Sequence, residues 1–140
     1  MKQERKELLL RDLCARLPYG VKFLRESWNY EWDQELSVIE VLEDIDKDGY
    51  INNTKVYNVK DIKPYLFPLS SMTEEQKKYI TDRWGINEDF NFEIDPNWGE
   101  YIVELDDTIN FINWLNENRF DINNLIPKGL AIDATGLNIY

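Results

Sequence analysis

The sequence predicts an α+β fold: an N-terminal helix, a small twisted antiparallel sheet (open or barrel-like), two further helices and an ordered C-terminal tail, in one domain over residues 1–140. Three observations predict it. Apolar residues recur at three- and four-residue spacing near both ends of the chain, they alternate with polar residues in between, and scattered glycines and prolines separate the two patterns. At 140 residues and 43% hydrophobic content, the chain can bury roughly two thirds of its unfolded surface without a disulfide or metal.

The first helix is expected over residues 4–17. Leu9, Leu10, Leu13, Cys14 and Leu17 form its apolar stripe, with Arg5, Lys6, Asp12 and Arg16 on the other side. Pro18-Tyr19-Gly20 ends it, because proline cannot continue the hydrogen-bond ladder and glycine accepts a positive φ. Val21 to Arg25 reads as a strand. Trp28, Tyr30 and Trp32 alternate with Asn29, Glu31 and Asp33, the mark of a strand with one aromatic face. Leu36 to Glu43 is a third strand, running into the turn signal Asp46-Lys47-Asp48-Gly49 and re-emerging at Tyr50-Ile51 and Lys55 to Val59.

Ile62 to Leu69 carries two prolines and reads as extended chain crossing the surface of the core. Thr73 with Gln76, and Ser71 with Glu74, fit a capping box opening a helix that presents Tyr79, Ile80 and Trp84 on one side and ends at Gly85. Phe90, Phe92 and Ile94 alternate, as do Tyr101, Val103 and Leu105, around the loop Asp95-Pro96-Asn97-Trp98-Gly99. A last helix from Asp107 to Asn118, capped by Asp106 or Asp107, turns Ile109, Ile112 and Leu115 inward beside Phe111 and Trp114. The tail holds a helical turn near Asp121 to Leu125.

Composition prunes the chemistry. Without histidine there is no Ser-His-Asp triad, no Cys-His pair and no imidazole ligand, and one cysteine rules out an internal disulfide. No Gly-rich phosphate loop occurs, and no nucleophile has an evident base, so a non-enzymatic protein without a cofactor is expected. The charged start, Met1 to Glu7, precedes only three leucines, and no run approaches about 20 apolar residues. A soluble cytoplasmic protein, with no membrane contact, is the expectation.

The formal charge of −11 argues against binding to a nucleic-acid backbone. It is also uneven. Residues 1–25 hold seven Lys/Arg and three Asp/Glu, whereas residues 73–140 hold five and fourteen. Between Arg83 and Arg119 nine acids occur and no cation. One reading is a solvated face; the other is an acidic surface that meets a basic partner. Combined with the aromatic strand, the second reading selects Trp28, Tyr30, Trp32, Glu93, Asp95, Trp98 and Glu100 as the candidate contact residues.

Asp44 to Lys55 overlays a twelve-residue EF-hand loop, with Asp44, Asp46 and Asp48 as weak metal candidates and Gly49 at the sixth position. The twelfth position, a carboxylate in such loops, is Lys55, and no second loop exists to pair with it. A hairpin turn built from Asp and Gly explains the same residues.

Four stretches resemble a family of small uncharacterised proteins found in Bacteroides-type genomes, phages and mobile elements. They are Leu8 to Val21 (LLLRDLCARLPYGV), Lys63 to Glu75 (KPYLFPLSSMTEE), Trp114-Leu115-Asn116 with Phe120-Asp121, and Leu125 to Ile132 (LIPKGLAI). Where the family carries a His pair before Phe-Asp, this chain has Asn118-Arg119. The resemblance implies a mobile-element accessory protein with a fixed framework and varied strands and loops, an arrangement suited to presenting a binding surface.

The leading expectation is therefore a protein that binds a macromolecular partner, a protein, through an acidic and aromatic surface; one version of it is a host-defence antagonist masking a basic protein. The alternative is a small-ligand protein that binds or sequesters nucleotides, for which Arg11, Arg16, Lys22 and Arg25 supply the basic groups.

Overall fold

The computed structural model describes residues 2–29, 34–86 and 105–140; side chains are described throughout these except at 27–29, 34–36 and 105–106. The architecture is α+β, with three helices and a four-stranded sheet in the described residues.

Helix α1 (Gln3–Arg16) buries Leu9, Asp12, Leu13 and Arg16. This stripe differs from the expected one: two ionic residues point inward, and Cys14 is exposed. The reason is that Arg16 and Asp12, one turn apart, form a two-point ion pair inside the molecule at 2.8 and 3.1 Å, so neither charge enters alone. A 3-10 turn, Leu17–Tyr19, ends at Gly20 with φ 71°, as the Pro-Tyr-Gly signal requires.

Strand β1 (Lys22–Asn29) pairs antiparallel with β2 (Gln34–Val41), from Lys22 opposite Val41 to Asn29 opposite Gln34. The short Val21 strand and the first aromatic position are thus one element. β3 (Ile62–Leu66) pairs antiparallel with β1, and β4 (Ile132–Asp133) runs parallel to β3, giving the order β2-β1-β3-β4. The sheet is mixed and open, not antiparallel throughout and not barrel-like. Extended chain at residues 62–66 is correct, but it is an inner strand with Ile62, Tyr65 and Leu66 buried, not a surface crossing. Pro64 is tolerated there because it lies opposite Phe23 only: the pairing with β4 begins one residue later, at Tyr65.

The predicted strands at 50–51 and 55–59 reduce to isolated bridges, Ile45 with Ile51 and Tyr50 with Asn58. Gly49 turns there with φ +88°, and a side chain's Cβ would come within 3.2 Å of the Asn58 amide. Helix α2 (Glu74–Trp84) carries the Thr73–Gln76 capping box and stops at left-handed Gly85. Helix α3 (Leu105–Glu117) begins two residues before its expected start. The alternating segments at 90–94 and 101–104, with the loop between them, lie outside the described residues.

Two apolar cores result. Leu9 and Leu13 of α1 pack with Val21, with Phe23, Ile62 and Leu66 of the sheet and with Leu125 of the tail. Full burial of each such side chain stabilises the fold by about 1.5–3 kcal/mol. The second core joins α2 and α3 through Met72, Ile80, Trp84, Phe111, Leu115 and Phe120. Here Trp84 lies 5.6 Å from Phe111, and Trp114 stacks at 5.5 Å on Tyr79. Trp84 and Trp114 therefore fill space. Ile109 and Ile112, expected inward, are exposed at 46% and 40%: α3 turns only Phe111, Trp114 and Leu115 to the second core.

Candidate functional site

Of the expected contact residues, only the backbone of Trp28 is described: it sits in β1 opposite Glu35, one rung from the end of the β1–β2 ladder. Tyr30, Trp32, Glu93, Asp95, Trp98 and Glu100 lie outside the described residues. From the acidic run, Glu117 is exposed and Asp107 half-buried on α3.

The Asp44–Lys55 loop is described and is built as a turn. One Asp46 carboxylate oxygen accepts from the backbone N–H groups of Asp48 and Tyr50, both at 2.9 Å; the other accepts from the Lys55 ammonium at 3.0 Å. The Tyr50 amide, then Lys55, hold the Asp46 carboxyl below its ordinary range. The cation at the twelfth position thus occupies the oxygen a metal would need. Asp44 and Asp48 do not join Asp46 in a cluster of ligating side chains among the described residues.

Arg11, Arg16, Lys22 and Arg25, the four cations expected to serve a nucleotide, do not converge. Arg16 is buried and spent on Asp12 and on the Phe120 carbonyl, at 2.7 Å. Arg25 pairs with Glu40 at 2.6 Å and lies over the Tyr57 ring. Lys22 donates to the Ile139 carbonyl at 2.7 Å, and Arg11 stands in solvent on α1. Arg16, Arg25 and Lys22 are each held by a different part of the fold.

A different set of cations does come together, around the tail. The Asp121 carboxylate accepts from the Leu125 and Ile126 amides at 2.8 and 2.9 Å, and Leu130 N donates back to Leu125 O at 2.9 Å. Gly129, at φ +73°, closes this turn. Asn123 ties it to α1 by donating to Asp12 at 2.8 Å, so the buried ion pair positions the loop. Two adjoining clefts share Gly129 and Leu130. The inner one, about 270 Å³, has Leu24, Leu130 and Ile132 on its floor and Glu26, Lys60, Asp61 and Lys63 at its rim. The outer one, an open trough of about 510 Å³, is lined by Lys2, Arg5 and Lys128, with no acid. Arg5 reaches across it to the Lys128 carbonyl at 3.4 Å.

Sequence reasoning missed this grouping because its cations come from α1, the 3-10 turn before β3, β3 itself and the tail. The only local signal was Pro127-Lys128-Gly129, a turn with one cation.

The tail also seals the sheet. The Tyr140 hydroxyl accepts from Lys22 N at 2.8 Å and donates to Tyr65 O at 2.7 Å, the position of the next β1–β3 rung. Arg119 stacks over the Tyr140 ring at 4.0 Å and donates to Tyr19 O at 3.0 Å. Those contacts hold Arg119 at φ 63°, a left-handed position that glycine usually fills.

No helix among the described residues is long and apolar enough to cross a membrane. Comparison with protein-family models, with curated proteins and with solved structures finds no match.

Proposed function

We propose that this chain is a non-catalytic binding module that engages a protein partner with a basic face. The contact runs along the β1–β2 ribbon and the acidic stretch that follows α2. The observation that supports the reading is the exposed face of the edge strand: Ile39 and Val41 stand 48% and 40% exposed on β2, opposite Leu24 and Lys22 of β1. Strand β2 has one neighbour among the described residues, so its outer edge offers backbone groups as well as side chains to a partner. The ribbon leads directly to Trp28, and the acids of residues 88–117 supply charge complementary to a basic surface. In this reading the protein serves a phage or mobile element by occupying a host protein, as the family resemblance implies.

The test compares capture from host lysate by the wild type and by the double variant Ile39→Asp/Val41→Asp, at low and high salt. Each side chain is about half exposed, so the melting temperature of the variant is measured alongside, and the comparison is read only where the fold is kept. The expected outcome is one partner, lost in the variant and weakened by salt. Capture that is indifferent to both changes counts against the reading.

A further inference from the structure

We propose that the paired clefts around Gly129 and Leu130 form a binding site for a nucleoside phosphate, with the base and sugar in the inner cleft and the phosphates in the outer trough. The site is separate from the β2 edge and does not depend on the protein-partner reading.

Charge carries the first part of the inference. The chain has a net charge of −11, yet the outer trough gathers Lys2, Arg5 and Lys128 with no carboxylate in its lining. Lys2, Arg5 and Lys128 line one space, with Arg5 donating to the Lys128 carbonyl at 3.4 Å and Lys128 to the Asn123 carbonyl at 3.3 Å. An anion between them offsets the mutual repulsion of the three charges. The trough also lies at the start of α1, whose N-cap residue, Lys2, makes no side-chain capping bond. Helix polarity therefore adds to the positive field.

Shape and polarity carry the second. The inner cleft has an apolar floor, Leu24, Leu130 and Ile132, under a rim of two acids and two cations. Carboxylates such as Glu26 can accept from ribose hydroxyls or exocyclic amines, and Lys60 and Lys63 can donate to carbonyl or ring acceptors. Together the clefts fall within the usual size of small-molecule sites, about 300–1,000 Å³. A Cβ built on Gly129, between the two, would meet no atom within 4 Å, so the bridge from one cleft to the other is open.

The wall is also fixed before any ligand arrives. Asp121 pins the backbone at Leu125 and Ile126, and Asn123 anchors the loop to Asp12. A preorganised loop spares the ordering cost that mobile lysines alone would bring. Whole-chain charge selects the ligand's size: a long polyanion would meet the acidic remainder of the surface, whereas a diphosphate spans only the trough.

The experiment titrates ADP, GDP, CDP and UDP into the full chain, with adenosine and inorganic pyrophosphate as partial ligands. Binding is followed by backbone amide NMR and by melting temperature. At least one nucleoside diphosphate should bind at roughly millimolar concentration or below, moving the Lys128, Gly129 and Leu130 amides. Adenosine and pyrophosphate should each bind at least about tenfold more weakly. The double variant Arg5→Glu/Lys128→Glu, both residues being exposed, should fold normally and lose about tenfold or more of the affinity. Lys60→Glu/Lys63→Glu should weaken the diphosphate but leave pyrophosphate unchanged. The proposal is overturned if no nucleoside diphosphate binds, if pyrophosphate binds as well as the nucleotide, or if charge reversal in the trough leaves binding intact.

Discussion

The guanidinium of Arg16 lies 2.8 Å from the carboxylate of Asp12, one helical turn earlier, and both side chains are shut away from solvent. The pair is a junction as well as a contact. Arg16 continues to the Phe120 carbonyl, and Asp12 accepts from Asn123, so α1 and the tail share one polar knot. Removing one member of a buried pair leaves the other charge without compensation, which costs about 3–5 kcal/mol. Asp12→Ala is therefore expected to lose that much stability in urea denaturation. The paired replacement Asp12→Leu/Arg16→Met should recover part of the loss, because it buries no lone charge.

Tyr140 gives a second prediction. Tyr140→Phe removes the hydroxyl that joins Lys22 N to Tyr65 O and should cost about 1–3 kcal/mol. Burial raises the Tyr140 phenol above its ordinary value of 10.0, against the opposing pull of the Lys22 amide and Arg119. A phenol raised in the folded state contributes stability that is complete below the unfolded value and is lost as pH rises through the folded one. Wild-type stability should fall on the alkaline side of pH 10.0. The Tyr140→Phe profile, measured by denaturation over the same range, should lack that component, so subtracting it from the wild-type profile should isolate it.

The calcium-like loop should not respond to calcium. Lys55 holds one Asp46 oxygen and the turn's amides hold the other, so titration with calcium should change neither tryptophan fluorescence nor melting temperature. The same geometry predicts acid sensitivity of the turn. Asp46 is depressed in the folded state, so its support is present above the ordinary carboxylate value of 3.8 and is lost as pH falls through the folded value. Hydrogen exchange at the Asp48 and Tyr50 amides should accelerate on acidification relative to the intrinsic rate. In Asp46→Ala it should be fast at every pH.

Cys14 is exposed on α1 and should be labelled by a maleimide in the native protein, without denaturant. Partial burial raises its thiol above the ordinary value of 9.0, so reaction near neutral pH should be slow and should accelerate as the solution becomes alkaline. Mass spectrometry after timed labelling checks both points. Cys14→Ser, at an exposed position, should change the unfolding free energy by no more than about 0.5 kcal/mol.

These features divide by how local their causes are. The Thr73–Gln76 box and the left-handed Gly85 were legible because a helix end is decided by a few neighbouring residues. The α+β class was legible for the same reason, from the two periodicities. Asp12 and Arg16 read as solvent-facing from the sequence because a polar residue in a helical wheel carries no sign of a partner such as Phe120 O. Pro64 argued against an inner strand, and only the staggered start of the β4 pairing makes it acceptable. The basic trough was invisible for the deepest reason: Lys2, Arg5 and Lys128 stand at opposite ends of the sequence, and the short parallel strand after Lys128 brings them together.

That parallel strand also fixes an order of events in time. The β1–β2 ribbon is a local hairpin and can form as soon as residue 41 is available, on the microsecond scale of roughly 1–10 μs. The rung between Tyr65 and Ile132 closes a loop spanning nearly half the chain, and loop closure must precede any gain from the contact. During synthesis, β3 therefore keeps its second edge unpaired until Ile132 and Asp133 are available. Tyr140 then caps the space between β1 and β3. The Tyr65–Ile132 rung should therefore form late in folding, and a chain halted before Ile132 should be the form most prone to aggregate.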